Sequence, residues 1–245
     1  MLHSNHLTRN DDMSDIVEIS GTLSTPYLRT SPEGLPRLIV EAFAPSGRLL
    51  GHCGAQVTGS PLPFRLHLDR SALADDARIT LSARCLSSTG SPLVIFSASQ
   101  NPTLAQATEA PVDMELEALE DFEAVHDLHP LEMRVIELSG HVNIPDEVVK
   151  GTKKLDATLL VVQEDGGSNR RSSNVAEHSM SVSGNRAEFS LFVDSASVPE
   201  GRPLRLQLGV YNHEGTEVYA GRNFKELDLG NLPDLSNITL KLPPR

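Results

Sequence analysis

Apolar and polar residues alternate along most of the chain, and alternation with a period of two predicts β-strands. The segments 64–69 and 189–194 carry apolar side chains at every second position, which places those side chains on one face of a half-buried strand. The segments 79–85 and 204–210 show the same pattern. Turn-forming clusters of Gly, Asn, Asp, Ser and Pro separate such segments. The pattern therefore predicts antiparallel sheets with one face toward solvent.

The same apolar pattern occurs twice. Residues 59–90 match residues 184–215 at a constant spacing of 125, so that Phe64 corresponds to Phe189. An earlier match pairs Ile19-Ser20-Gly21 with Leu138-Ser139-Gly140 at a spacing of 119. The difference between the two spacings indicates an insertion in the second copy, and the polar run 166–174 supplies it. Solenoid repeats have periods of roughly 20 to 50 residues, so a match over this distance indicates two copies of a whole domain.

Each copy is predicted to contain about seven strands. In the first copy they are expected near residues 16–23, 37–44, 48–57, 62–68, 77–86, 92–98 and 111–118. In the second they are expected near residues 134–142, 155–163, 174–182, 187–193, 203–211, 216–222 and 235–242. Seven short strands in about 105 residues are typical of a β-sandwich. The predicted fold class is all-β, with two tandem antiparallel β-sandwich domains of the immunoglobulin or transthyretin-like kind.

The repeat also sets the expected domain organisation. We predict a disordered N-terminal tail at 1–13, a first sandwich at 14–118, an acidic linker at 119–133 and a second sandwich at 134–245. A short amphipathic helix in the linker is the alternative to an irregular solvated segment. Each domain is expected to fold independently, with proteolysis confined to the linker.

Composition and charge narrow the classes of partner. The chain carries 33 acidic and 21 basic residues, a net charge of −12, and this negative surface repels phosphate backbones and anionic lipid. No segment approaches the roughly 20 apolar residues of a membrane span or resembles a signal peptide. The sequence therefore predicts a soluble cytoplasmic protein that binds neither nucleic acid nor membranes.

Two cysteines, Cys53 and Cys85, are present, and both lie in the first copy. A disulfide that held the fold together would be expected in both copies, yet Val210 occupies the position that corresponds to Cys85. We therefore expect reduced thiols, with Cys85 in the core.

Residues that could carry chemistry are scattered. His126 and His129 lie three residues apart and could share a helix face as metal ligands, but Pro130 follows them at once. Asp75-Asp76 and Asp165 could approach one another between loops, yet the sequence lacks the oxygen-rich pattern of a calcium loop. We expect no metal, no cofactor and, in the absence of any catalytic motif, no enzymatic activity.

Four further polar residues in or beside strands have structural interpretations. Asp69 and Asp194 recur at the spacing of 125, and each follows a strand, where a carboxylate caps the next turn. His52 and His67 fall within predicted strands and are expected to point to solvent.

The most acidic part of the chain surrounds the end of the first copy. Five residues are predicted to form a contact surface for a partner, namely Glu115, Glu117, Glu120, Asp121 and Glu123.

A group of structural motifs resembles the YscW/YbaY-type domain. The resemblance rests on Ile19-Ser20-Gly21, Leu38-Ile39-Val40, the segment 59–66, and the segment 79–84 followed by Gly90, with a second set in the second copy. That family contains small lipoproteins that act as pilotins, or chaperones, for type III secretion secretins. The resemblance implies a β-sandwich fold and a role in escorting other proteins.

Two classes of function lead the sequence-based hypotheses. The first is a non-enzymatic, chaperone-like module in which an exposed strand edge binds a protein or peptide. The second is a carbohydrate-binding sandwich, although the chain has no Trp and only three Tyr to offer as aromatic platforms: Tyr27, Tyr211 and Tyr219.

Overall fold

The computed structural model describes residues 15–25, 35–86, 94–118, 133–144, 153–163, 171–212, 217–220 and 224–240. The first repeat contains β1 (Ile16–Ser24), β2 (Arg37–Phe43), β3 (Leu49–Gln56), β4 (Leu62–Asp69), β5 (Thr80–Leu86), β6 (Val94–Gln100), helix α1 (Leu104–Glu109), β7 (Val112–Glu115) and β8 (Glu117–Ala118). The second contains β9 (Val135–Asn143), β10 (Lys153–Gln163), β11 (Arg171–Val182), β12 (Arg186–Asp194), β13 (Leu204–Asn212), β14 (Glu217–Ala220), β15 (Phe224–Leu227) and β16 (Ile238–Thr239).

The all-β sandwich predicted from alternation is confirmed, with two differences in detail. Helix α1 was not predicted; it begins at a capping box in which Thr103 and Gln106 exchange side-chain and backbone hydrogen bonds. In addition, β7 pairs in parallel with β1 and β16 pairs in parallel with β9, whereas purely antiparallel sheets were expected. Alternation reports which face of a strand is buried and carries no information on the direction of its neighbour.

One sheet runs through both repeats. Its order is β14-β13-β10-β11-β3-β2-β5-β6-β8, with β15 also pairing with β13, so the antiparallel pair of β11 and β3 joins the repeats. Two three-stranded sheets, β4-β1-β7 and β12-β9-β16, lie opposite it. The observed strands of the first repeat lie within the predicted range 14–118, and those of the second lie within 134–245. Buried apolar side chains from both repeats form one connected cluster.

The repeated Ser-Gly motif makes room for the repeated phenylalanine. Gly21 lies opposite Phe64 in the β1–β4 register, and Gly140 lies opposite Phe189 in the β9–β12 register. A Cβ atom on either glycine would lie 2.9 Å from the ring beside it, and closer still to a backbone carbonyl. Because these rings are 2% and 0% exposed, each lies in the core of its repeat, and the first repeat buries a second ring, that of Phe96.

The two repeats are related by an approximate two-fold axis through the β3–β11 pair. Cys53 lies opposite His178 in this register, and these two positions are themselves equivalent at the spacing of 125. The flanking pairs, Gly51 with Met180 and Ala55 with Ala176, exchange places under the same relation. The two repeats of this single chain therefore pair with the approximate two-fold symmetry of a homodimer.

Most of the predicted tail (1–13) and of the predicted linker (119–133) lies outside the described residues. Among the residues that the structure describes, no helix is long and apolar enough to cross a membrane.

Candidate functional site

The predicted acidic contact surface begins on the edge strand of the first repeat. Glu115 ends β7 and Glu117 begins β8, and both side chains are exposed. Between them Leu116 is buried, and its backbone N–H donates a 2.8 Å hydrogen bond to the carbonyl of Ser24. The remaining predicted residues, Glu120, Asp121 and Glu123, lie outside the described part of the chain.

The segment formed by β7 and β8 is an edge of both sheets of the first repeat. β7 pairs with β1 at the edge of the three-stranded sheet, and β8 pairs with β6 at the edge of the ten-stranded sheet. Its apolar positions, Val112, Met114 and Leu116, are buried. The alternate positions therefore face solvent from a sheet edge.

Asp113 belongs to this surface and was not among the predicted residues. Its side chain is exposed like those of Glu115 and Glu117, and one of its carboxylate oxygens accepts a 2.7 Å hydrogen bond from the hydroxyl of Thr22. The signal was available in the sequence, because the strict alternation that places Glu115 and Glu117 outward also includes Asp113. We call Asp113, Glu115 and Glu117 the acidic edge.

The junction between the repeats contains a second cluster of polar residues. The predicted capping roles are confirmed: Asp69 accepts a hydrogen bond from Ser71 N–H and Asp194 accepts one from Ala196 N–H, each at 3.0 Å. The second carboxylate oxygen of each residue reaches the other repeat. Asp69 accepts a 2.6 Å hydrogen bond from the backbone N–H of Ser183, and the hydroxyl of Ser183 donates to the same oxygen.

The expectation that His67 points to solvent is wrong. His67 is 4% exposed, and its ring centroid lies 5.2 Å from that of His178, which is 1% exposed. The second repeat covers the face of β4 that would otherwise be wet, and the sequence of one repeat gives no sign of this packing. His52 is half-buried, and its Nε2 atom lies 3.7 Å from a carboxylate oxygen of Glu177 in the other repeat.

Burial dominates the protonation of these histidines. Burial lowers the pKa of His67 to about 4, and the positive charge of Arg65 acts in the same direction. The pKa of His178 is lowered well below its usual value, first by burial and then by the neighbouring His67. Both rings are therefore neutral at pH 7 and pack as polar aromatic groups.

An open cleft borders this junction on the side of the three-stranded sheets. Arg65 bridges Glu18 of its own repeat and Glu137 of the other, and its guanidinium lies 5.9 Å from the ring centre of Phe192. Glu18 and Glu137 are repeat equivalents at the spacing of 119. One cation thus neutralises two equivalent carboxylates across the junction.

The remaining candidates for chemistry are the two cysteines and the possible metal ligands. Cys53 and Cys85 are free thiols, as expected, and both are buried, although burial was expected only for Cys85. Burial raises the pKa of both to about 12, so the nucleophilic thiolate is scarce at neutral pH. Among the described residues, no three His, Cys, Asp or Glu side chains are grouped so that they could hold a metal ion. His126, His129 and Asp165 lie outside those residues, and Asp75 forms an ion pair with Arg70.

Comparison with known proteins leaves the family open. No family model and no curated protein matches the chain. A fimbrial assembly protein from Parabacteroides distasonis aligns at 10% identity and a TM-score of 0.27, covering 85% of this chain and 99% of that one. The major pilin protein from Streptococcus pyogenes aligns at 11% identity and a TM-score of 0.18, covering 94% and 100%.

A leucine-rich repeat protein from Bacteroides thetaiotaomicron aligns at 9% identity and a TM-score of 0.26. The alignment covers 94% of this chain, which spans only 27% of that protein. Similarities of this size carry no functional conclusion.

Proposed function

We propose that this chain is a non-enzymatic, chaperone-like module that binds a protein or peptide partner through the acidic edge. The observation that carries the proposal is the outward alternation of Asp113, Glu115 and Glu117 along a strand that ends both sheets of the first repeat. An edge strand offers unpaired backbone groups, and alternate side chains offer selectivity. The partner that fits this edge is an extended segment rich in Lys or Arg.

The charge of the whole chain supports a basic partner. With a net charge of −12, the chain attracts a cationic segment from a distance and repels acidic ones. The resemblance to the YscW/YbaY-type domain supports an escort role for the same module. The aromatic residues whose side-chain exposure the structure describes, six Phe and Tyr211, include no fully exposed platform that would favour carbohydrate binding.

The edge charges have a competing structural role, since charged residues on edge strands also prevent edge-to-edge association. The two roles differ in what charge reversal does. If the acidic edge binds a partner, the double variant Glu115→Lys/Glu117→Lys loses that partner and stays monomeric. If the charges act only against self-association, the variant keeps its partners or binds none, and it aggregates.

The test is affinity capture from the source cell with the full chain as bait. Capture should be strong near 0.01 M salt and weaker near 0.15 M, because the Debye length falls from about 30 Å to about 8 Å. The matched control is Asp76→Lys/Glu200→Lys, which changes the net charge equally at two exposed acidic positions elsewhere. Equal capture by wild type and both double variants would contradict the proposal, and saturable binding of a defined glycan would favour the carbohydrate alternative.

A further inference from the structure

The open cleft beside Arg65 combines acidic side chains from both repeats. It has a volume of about 420 Å³, and the first repeat contributes Glu18, Arg65 and His67 to its lining. The second repeat contributes Glu188 and Asp234, together with His141 and several uncharged residues. Three carboxylates therefore line the cleft against one arginine, and that arginine is already engaged with Glu18 and Glu137.

His67 presents one of its ring nitrogens to this cleft. The side chain is 5% exposed, and its Nδ1 atom is buried without a hydrogen-bond partner among the described residues. Its Nε2 atom instead lies 3.8 Å from Glu18 Oε2 and 3.8 Å from Glu188 Oε2. These two carboxylate side chains are 47% and 26% exposed, so the Nε2 atom of this nearly buried ring points toward the accessible wall of the cleft. Because the ring is neutral at pH 7, Nε2 can offer a lone pair there.

Each of the two carboxylates has one oxygen that is engaged and one that is available. Glu18 Oε1 lies 3.0 Å from Arg65 Nε, and Glu188 Oε1 lies 3.2 Å from His141 Nε2 and 3.3 Å from Arg186 Nη2. The two Oε2 atoms have no hydrogen-bond donor among the residues that the structure describes, since 3.8 Å from His67 Nε2 is too long for a hydrogen bond. A nitrogen atom placed about 2.8 Å from both ends of such a gap can bridge Nε2 to either oxygen.

The fold itself does not require this set of acceptors. The equivalent positions across the two-fold axis hold other residues: Phe192 for His67, Pro63 for Glu188 and Glu137 for Glu18. These positions therefore include no imidazole and only one carboxylate, which is bonded to Arg65. The imidazole with two available carboxylate oxygens thus occurs on one side of the axis, as expected for a feature that the common strand framework does not need.

We propose that this cleft binds a primary ammonium group, with His67 Nε2 and the Oε2 atoms of Glu18 and Glu188 as its acceptors. An ammonium nitrogen carries three hydrogen-bond donors, which matches these three acceptors, and hydrogen bonds to a carboxylate are charge-assisted. The excess of carboxylates in the lining favours a cation over a neutral ligand. A free small amine and a lysine side chain of a protein partner both carry this group. The proposal is independent of partner binding at the acidic edge, which lies on the outer strand of the first repeat.

The experiment follows the Cε1–H resonance of His67 by NMR in the full chain at pH 7, and the resonance is assigned by its absence from His67→Phe. Ethylammonium chloride is titrated in, with sodium chloride holding the ionic strength constant, and the resonance should shift saturably. Glu188→Gln should raise the apparent Kd about tenfold or more, as expected for the loss of a charged hydrogen bond. Glu200→Gln, which removes an exposed carboxylate outside the cleft, should bind as wild type does. Glu18→Gln repeats the test from the first repeat.

Two further titrations of the wild-type chain separate the alternatives. Tetramethylammonium carries the same charge without an N–H donor, so it should produce no saturable shift. An N-acetylated tripeptide amide with a central lysine identifies the source of the ammonium group: a lower Kd than that of ethylammonium assigns a lysine of a protein partner, and an equal or higher Kd assigns a small amine. The absence of a saturable shift with both amines, an equal shift with tetramethylammonium, or an unchanged Kd in both Glu188→Gln and Glu18→Gln would overturn the proposal.

Discussion

The carboxylate of Asp194 accepts a 2.7 Å hydrogen bond from the backbone N–H of Thr58, which lies 136 residues earlier in the chain. The Thr58 hydroxyl donates to the same oxygen at 2.6 Å. Asp69 and Ser183 form the equivalent contact in the opposite direction. Both donors and both acceptors are related by the spacing of 125, so the strand-end caps of each repeat also bind the other repeat.

Removing one of these carboxylates should destabilise the whole chain. Asp194 is 0% exposed, and Asp194→Ala leaves the buried N–H of Thr58 without its acceptor. We expect a loss of roughly 2–4 kcal/mol in the free energy of unfolding, measured by urea titration. The exposed Asp76→Ala serves as the control and should change stability by less than about 0.5 kcal/mol. Equal stability of the two variants would show that the contact does not contribute.

The two phenylalanines should be equivalent core residues. Phe64→Ala and Phe189→Ala each remove a buried ring that packs against a glycine, and each should cost roughly 3–5 kcal/mol. Denaturant unfolding of the full chain measures both effects. A loss below about 1 kcal/mol for either variant would mean that the repeat equivalence misplaces the core.

Acid should weaken the junction through His67. Its pKa is about 4 in the folded chain and near 6.5 when unfolded, so the unfolded state binds more protons between these values. The stabilisation from keeping His67 neutral is complete above about pH 6.5 and is lost as the pH falls toward 4, by about 3 kcal/mol in total. His67→Phe, which copies the equivalent Phe192, should reduce this pH dependence.

The pH prediction includes the charges around the histidine pair. Five other titratable or charged side chains contact or lie near His67, namely Glu18, Arg65, His141, His178 and Glu188. His52 lies near His178, on β3. The comparison is therefore made between urea titrations of wild type and His67→Phe at pH 7, 6 and 5, and His141→Gln measures separately the contribution of the neighbouring half-buried histidine. A pH slope unchanged by His67→Phe would exclude the buried histidine as its source.

The two repeats should associate when produced as separate chains. The β3–β11 pairing and the reciprocal Asp69 and Asp194 contacts do not depend on a covalent link. Co-expressed fragments 1–118 and 133–245 should therefore co-purify, and Asp194→Ala should weaken the complex. Fragments that are each folded, monomeric and without affinity for one another would instead support fully independent domains, as the sequence predicts.

Alternation predicted the strands well because it reports burial within one repeat. The predicted range 62–68 is one residue shorter than the observed β4 at its C-terminal end, and the predicted range 187–193 is one residue shorter than β12 at each end. Helix α1 was missed because its six residues bury only Leu104 and Ala107, too few for a helical period to appear. The acidic edge was predicted in part, and Asp113 follows from the same alternation.

The sequence by itself determined the period of the strands, the duplication, the equivalence of Phe64 and Phe189, and the capping role of Asp69 and Asp194. Each of these depends on neighbours in sequence or on one repeat compared with the other. Only the tertiary structure decided that β3 joins β11, that His67 and His178 meet, and that Glu18 and Glu188 line a cleft formed by both repeats. The physical reason is that these contacts form between surfaces that would face solvent if each repeat folded alone. The alternation within a strand reports burial by its own repeat, and it carries no information about burial by the other repeat.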